Sequence, residues 1–240
     1  GDSYVLDGAK SVVLHGDCAD KLLVTARTAG NRSDRNGVGL FLVDAAAAGV
    51  TRRGYPTQDG LRAAELTLSN VRVAADAVLG TDALPAIEHV VDEAIAALCA
   101  EAVGCMQEMH ETTLEYLKTR QQFGRPIGSF QVLQHRSVDM LVALEQARSM
   151  AMFAAVMAAE EDAIERRRAI AAARVQIGRS GKPVWQEAIQ MHGGIGMTME
   201  YKVGHYFKRM TMIDMLFGDA DAHLQTLAQL GGLFGSAKAA

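Results

Sequence analysis

The run Tyr116-Leu-Lys-Thr-Arg-Gln-Gln-Phe-Gly-Arg-Pro-Ile-Gly-Ser-Phe-Gln-Val-Leu-Gln134 decides how this chain is read. It ends one helix and starts another. Arg120 closes an apolar-periodic segment, Gly124 and Pro126 break it, and Phe130 opens the next. A guanidinium fixed at such a joint is placed to grip a phosphate, because its planar fork matches phosphate oxygens. Standing alone, Arg120 has a simpler reading as a solvated cation in a last helical turn, where the macrodipole favours it.

Working outward, the segments on either side differ in period. From about Asp82, an N-cap candidate with Pro85 in the first turn, the pattern is helical. Ala94, Leu98, Ala102, Cys105 and Met109 form one stripe. A second helix is predicted from about Ser129 to the Glu160-Glu161-Asp162 cluster, with Met140, Leu144, Ala147, Ala151 and Ala154 on one face. A third runs from about Ala163 to Met191, and a fourth from about Tyr201 to Leu230, interrupted near Gly218. Four long amphipathic helices with short joints predict an up-down four-helix bundle. The acidic cluster and Arg166-Arg167-Arg168 read as a solvated junction between helices.

Before about Leu79 the chain is β-rich. Tyr4 to Leu6, Asp7-Gly8, and Lys10 to Leu14 read as a hairpin. Leu22 to Ala26, Val38 to Val43 and Ala64 to Val73 are further strands, the last with the alternation of a half-buried one. Thr28 to Gly37 is a loop. No helix-length segment separates these strands, so the sheet is expected to be antiparallel. The expected fold is therefore α+β: an antiparallel β-domain over residues 1–80, forming a partial barrel, followed by the bundle over residues 81–240.

Composition narrows the function classes. With 240 residues, 49% of them hydrophobic, the chain has length for a real core. A net charge of -4 gives no general pull toward nucleic acid or acidic lipid. Cys18, Cys99 and Cys105 form no CxxC pair, and the latter two sit in apolar helical sequence as reduced core residues. No apolar stretch is read as reaching the roughly 18 residues of a membrane span, and no signal peptide is visible. A cytoplasmic protein is expected. No His follows a Glu by three positions, which argues against a bundle metal site. The chain opens on Gly1-Asp2-Ser3-Tyr4 without an initiator methionine and is read as trimmed or fragmentary.

The glycines of Gln190-Met-His-Gly-Gly-Ile-Gly196 follow a helix, not a strand, so they are no dinucleotide fingerprint. They can be a helix C-cap, or positions where a missing Cβ admits a ligand to the backbone. His192 is the one site-adjacent histidine.

Several segments in order resemble the middle and C-terminal domains of acyl-CoA dehydrogenases. They are Gly1-Asp2-x-Tyr4-x-Leu6-x-Gly8-x-Lys10, Ala19-Asp20 with Ala26-Arg27, Arg120 to Gln134, Glu145-x-Ala147-Arg148-Ser149, and Gln190-x-x-Gly193-Gly194-x-Gly196. The resemblance implies FAD lying across a subunit interface, with the family's N-terminal helical domain absent from this chain. It assigns the pyrophosphate to Arg120, with Gln131 and Phe123, and the adenosine half to Gln190, Gly193 and Gly194. The other half of the site departs from the pattern. Where members carry Lys-Trp-Ile-Thr against the flavin, this chain has Lys10-Ser11-Val12-Val13. Where many carry the base in Tyr-Glu-Gly-Thr, ungapped counting gives Leu216-Phe217-Gly218-Asp219. For relatives with the base on the preceding helix, counting back reaches Ala94, beside Glu93.

Losses on the flavin and substrate side, with the adenosine side kept, imply a subunit that completes a partner's FAD site. Phe217-Gly218-Asp219-Ala220-Asp221-x-His223-Leu224 looks like the small subunit of bacterial heteromeric acyl-CoA dehydrogenases acting on sterol side chains or dicarboxylates. The reaction implied is α,β-dehydrogenation of an acyl-CoA thioester: the α-proton to a carboxylate base, the β-hydride to flavin. The partners implied are an acyl-CoA substrate, a catalytic acyl-CoA dehydrogenase subunit and an electron-transferring flavoprotein. Two rivals remain: a self-sufficient homotetramer using Asp219 or Asp221 as base, and a flavin-free assembly protein.

Overall fold

A computed structural model describes residues 3–232, so Gly1 and Asp2 of the opening motif lie outside it. The chain divides into two compact units between His89 and Val90. The first holds six strands: β1 (Ser3–Leu14), β2 (Lys21–Arg27), β3 (Val38–Asp44), β4 (Val50–Pro56), β5 (Arg62–Ala74) and β6 (Val78–Gly80). They form two antiparallel sheets in the orders β1-β5-β4 and β2-β3-β6. Leu6, Leu66, Leu68 and Val71 from one sheet meet Leu22, Val24, Phe41 and Val43 from the other in a single core, the interior of a partial barrel. Alternation on β5 is as expected: Leu66 and Leu68 are buried and Thr67 and Ser69 exposed.

The expected hairpin at the start of the chain is not there. β1 continues through Gly8 and pairs with β5 from Ser3↔Ala74 to Leu14↔Ala63, with register shifts at Leu6/Gly8 and Lys10/Val13. Asp-Gly here marks a bulge instead of a reversal. The Asp7 carboxylate accepts a hydrogen bond from the Asn70 amide across the ladder, at 2.8 Å, which holds the bulge in place. β4 was not legible because it is an edge strand with little apolar content, exposed at five of its seven positions.

The second unit carries α1 (Leu84–Thr119, which begins in the first unit), α2 (Gln131–Met157), α3 (Ala163–His192), α4 (Lys202–Met215) and α5 (Ala220–Gln229). The cross-helix contacts give the directions. Arg136 and Gln176 pair with Glu187 and Gln146, so α2 and α3 are antiparallel. Glu101 with Arg209, and Glu108 with Lys202, set α1 against α4 the same way. Asp92 with Arg166, and Tyr116 with His192, make α1 and α3 parallel. This is the up-down bundle, with α4 and α5 as the interrupted fourth member. Met140, Leu144, Ala147, Ala151 and Ala154 form the buried face of α2, and Cys99 and Cys105 are buried on α1. Burial pushes both thiols up to about 11.

Two sequence expectations need correction. The Arg166-Arg167-Arg168 run is not a solvated junction: Arg166 and Arg168 are buried. Arg166 pairs with buried Asp92 at 3.2 Å and donates to the Glu160 carbonyl, and Arg168 donates to the Leu230 carbonyl. The junction itself is capped by Asp162, whose carboxylate accepts from the Ile164 and Glu165 amides. α2 is also long and apolar enough to cross a membrane by length and composition, with mean hydropathy 1.3 over its most apolar stretch. The reason is a second apolar face: Val138, Leu141, Val142, Met152, Phe153 and Val156 are exposed.

Candidate functional site

One end of the bundle gathers all six residues expected to meet a cofactor. There α1 ends, a hairpin of β7 (Gln121–Gln122) and β8 (Arg125–Pro126) turns the chain, and α2 begins; α3 ends and α4 starts at the same end. Arg120 stands between α1 and the hairpin, its carbonyl accepting from the Ile127 amide. Phe123 sits at the hairpin tip with φ 53°, 90% exposed, its ring edge-on to Phe130 at 6.0 Å. Arg125 lies over the Phe130 ring at 4.3 Å. Gln131 opens α2 and Gln190 lies in the last turn of α3. Gly193 caps α3 with φ +63°, a left-handed conformation that glycine adopts without strain. A Cβ on Gly193 or Gly194 would meet nothing within 4 Å, so both glycines face open space.

The C-cap reading of these glycines is therefore correct, and it is compatible with ligand approach. Arg120, Gln131 and Gln190 are exposed, and among the described residues their side chains have no hydrogen-bond or ionic partner. A cation, two amides and an open stretch of glycine backbone suit an anionic nucleotide better than they suit one another.

His192 is site-adjacent as expected, but the tyrosines that hold it beneath this surface carry no sequence signal. His192 is 3% exposed and its ring lies between two tyrosines, Tyr116 at 4.6 Å and nearly parallel, and Tyr201 at 5.0 Å. Its Nδ1 donates to the Ala188 carbonyl at 2.7 Å. Burial holds its pKa below the ordinary value of 6.5, so the ring is neutral at neutral pH.

The Asp219 and Asp221 candidates lie elsewhere, at the turn between α4 and α5. Gly178 of α3 packs beside Ala220, and 15 residues of helix separate Gly178 from Gly193, about 22 Å. Asp219 is the N-cap of α5; its carboxylate accepts from the Ala222 amide at 2.9 Å. Asp221 is exposed in the first turn. Between the helices Phe217 has φ 56° and Gly218 φ 100°. A left-handed phenylalanine is an outlier that the surroundings must hold in place. Two buried donors do so. Arg174, 1% exposed, donates to the Ile213 and Leu216 carbonyls, and His223 Nε2 donates to the Phe217 carbonyl at 3.0 Å. The Phe217 ring itself is 49% exposed. Burial lowers the pKa of Arg174 and of His223, the latter helped by Arg174, and raises that of Asp214 against the pull of Arg174. A lone arginine inside Ala171-Ala172-Ala173-Arg174-Val175 was the sequence signal for this buried charge.

In the β-domain, Lys10 to Val13 forms the second β1 bulge, with Val12 at φ 53°. Lys10 Nζ donates to Thr25 Oγ1 at 3.1 Å beside a cavity of about 340 Å³. Glu65 accepts from the Tyr55 hydroxyl at 2.8 Å, and that hydroxyl holds its carboxyl below the usual range.

Comparison with known proteins is consistent along the chain. The acyl-CoA dehydrogenase C-terminal domain matches residues 84–231 and the middle domain residues 1–71. A probable acyl-CoA dehydrogenase of Bacillus subtilis, YngJ, is 30% identical over 232 residues, 95% of this chain and 60% of that protein. Among solved structures, the Tcur3481-Tcur3483 steroid ACAD G363A variant shares 36% identity with TM-score 0.81, over 95% of this chain and 60% of that one. A glutaryl-CoA dehydrogenase from Mycobacterium smegmatis in complex with FADH2 shares 25% identity with TM-score 0.84, over 97% of this chain and 60% of that one. The chain thus spans about three fifths of the length of these proteins.

Proposed function

We propose, for a chain that belongs to the acyl-CoA dehydrogenase family, the role of a half-site subunit: it completes the FAD site of a catalytic partner and carries no base of its own. The enzyme as a whole would perform α,β-dehydrogenation of an acyl-CoA thioester and pass electrons to an electron-transferring flavoprotein. Arg120 would bind the pyrophosphate, with Gln131 and Phe123 beside it. Gln190 would hydrogen-bond the adenosine half, and the Gly193–Gly194 backbone would allow its close approach. FAD bound there supplies the hydride acceptor. The likeness to a steroid enzyme whose name joins two proteins supports a bulky acyl group and an unlike partner. The exposed apolar face of α2 gives such a partner a surface to cover.

The observation that carries this reading is at position 217. The turn that ungapped counting assigns to the base presents a phenylalanine, which cannot accept a proton. Its carboxylate neighbour Asp219 is engaged in capping α5.

Asp219→Asn tests this against the self-sufficient alternative, because asparagine also caps a helix N-terminus and the substitution removes only the base. The complex is expected to keep its turnover in Asp219→Asn and in Asp221→Asn. Loss of turnover in either, in protein purified without a partner, would establish the homotetramer reading in its place.

A further inference from the structure

The Tyr116–His192–Tyr201 stack has no part in the function proposed so far, although it lies beneath both halves of the proposed cofactor surface. Tyr116 is on α1, one turn before Arg120, and His192 is the residue before Gly193. Arg120, just past the end of α1, donates its amide to the Tyr116 carbonyl at 2.9 Å, so Tyr116 marks where α1 delivers Arg120. Tyr201 is the N-cap residue of α4. The His192 ring touches both tyrosines, at 4.6 and 5.0 Å, and its Nδ1 is tied to the Ala188 carbonyl. One buried ring thus joins the ends of α1 and α3 and the start of α4. Among the described residues, the Arg120, Gln131 and Gln190 side chains above it have no partners to set their spacing.

We propose that His192 and Tyr116 are positioning residues that fix the separation between Arg120 and the Gly193–Gly194 backbone, so that one nucleotide diphosphate can be held at both points together. This rests on the cofactor assignment above and extends it from contact residues to the spacer beneath them. Aromatic contacts have a defined centroid separation, so a planar ring sets that distance more sharply than aliphatic packing does. Small errors in a distance that two binding points must share are costly. The consequence is specific. A ligand that spans both points depends on the spacer, and one that touches a single point does not.

The test uses the full-length protein purified with its partner subunit and stripped of flavin. FAD affinity is measured by flavin fluorescence, and adenosine affinity by competition with FAD. Tyr116→Ala and His192→Ala are expected to weaken FAD about tenfold or more while adenosine changes by less than about threefold. His192→Phe, which keeps the ring, is expected to restore FAD affinity to near the wild-type value. Arg120→Ala serves as the control, weakening FAD and sparing adenosine, which has no phosphate. If Arg120→Ala weakens FAD and the alanine variants bind it normally, the spacer is refuted and the cofactor reading stands. Equal weakening of FAD and adenosine in the alanine variants also overturns the spacer, since general loosening of the bundle end would act on both. If Arg120→Ala binds FAD normally, the cofactor reading fails and the spacer with it.

Discussion

The C-terminal end of α3 and its middle support different surfaces. Near Gly193, the Arg120, Gln131 and Gln190 side chains are exposed and, among the described residues, without partners, and an aromatic stack lies beneath them. Near Gly178, the support is just as elaborate: Arg174 and His223 hold three carbonyls of a turn whose residue 217 is strained into the left-handed region. Yet what that turn presents is an apolar ring. The first region has both scaffold and the candidate cofactor groups; the second has scaffold and, at residue 217, only an apolar ring. A scaffold is expensive to lose, because removing a buried donor leaves acceptors unsatisfied and lowers stability, whereas an exposed side chain can change at little cost. The comparison therefore separates what folding requires from what chemistry requires.

The largest effect expected is on the scaffold of the turn. Arg174→Ala takes the guanidinium donor away from the Ile213 and Leu216 carbonyls and opens a cavity, and is expected to cost about 3–5 kcal/mol of unfolding stability in denaturant titration. A loss below about 1 kcal/mol would mean the turn does not need its buried cation. Next comes Arg120→Ala, expected to raise the dissociation constant for FAD in the complex on the order of 10- to 100-fold, since a hydrogen bond from a charged donor is worth about 1.5–3 kcal/mol. The stability of the chain itself should move by less than about 0.5 kcal/mol, because the side chain is exposed. Phe217→Ala should be quieter still, with turnover of the complex within about twofold of wild type. A collapse of turnover would place the ring at the reacting centre and erase the contrast between the two regions.

The smallest effect is with pH. The folded-state pKa of His192 lies below its ordinary 6.5, so the unfolded chain takes up a proton first as pH falls. The neutral buried ring therefore contributes stability that is present above about 6.5 and is lost as pH drops toward the folded value. His223 acts in the same direction. Thermal midpoints should fall between pH 7 and pH 5, and His192→Phe should flatten that slope. An unchanged slope would show that the ring is not buried as described.

Much of this was legible in the sequence, and the misses have physical causes. The helices and their breaks were plain because apolar residues recur every three to four positions and Gly124, Pro126 and Gly218 interrupt them. The six cofactor candidates could be named, and the fold brings them to one end. The start of β1 was misread because Asp-Gly signals either a reversal or a bulge, and only the partner strand decides. β4 escaped because an exposed edge strand needs no apolar alternation. The buried role of Arg166 was invisible because a charge enters a core only when its partner arrives from a distant segment, here Asp92; Arg174 stands out as a lone cation in an apolar run, but its partners, the Ile213 and Leu216 carbonyls, are backbone groups that no sequence pattern names. The Tyr116–His192 contact joins residues on helices far apart in sequence, and no local pattern encodes it.

The most direct test of the half-site account is flavin stoichiometry together with native mass, measured on the full-length protein purified with and without its partner subunit. The account predicts flavin only in the mixed complex, at one per unlike pair. One flavin per chain in an assembly of this chain alone would contradict it and return Asp219 and Asp221 as candidates for the base.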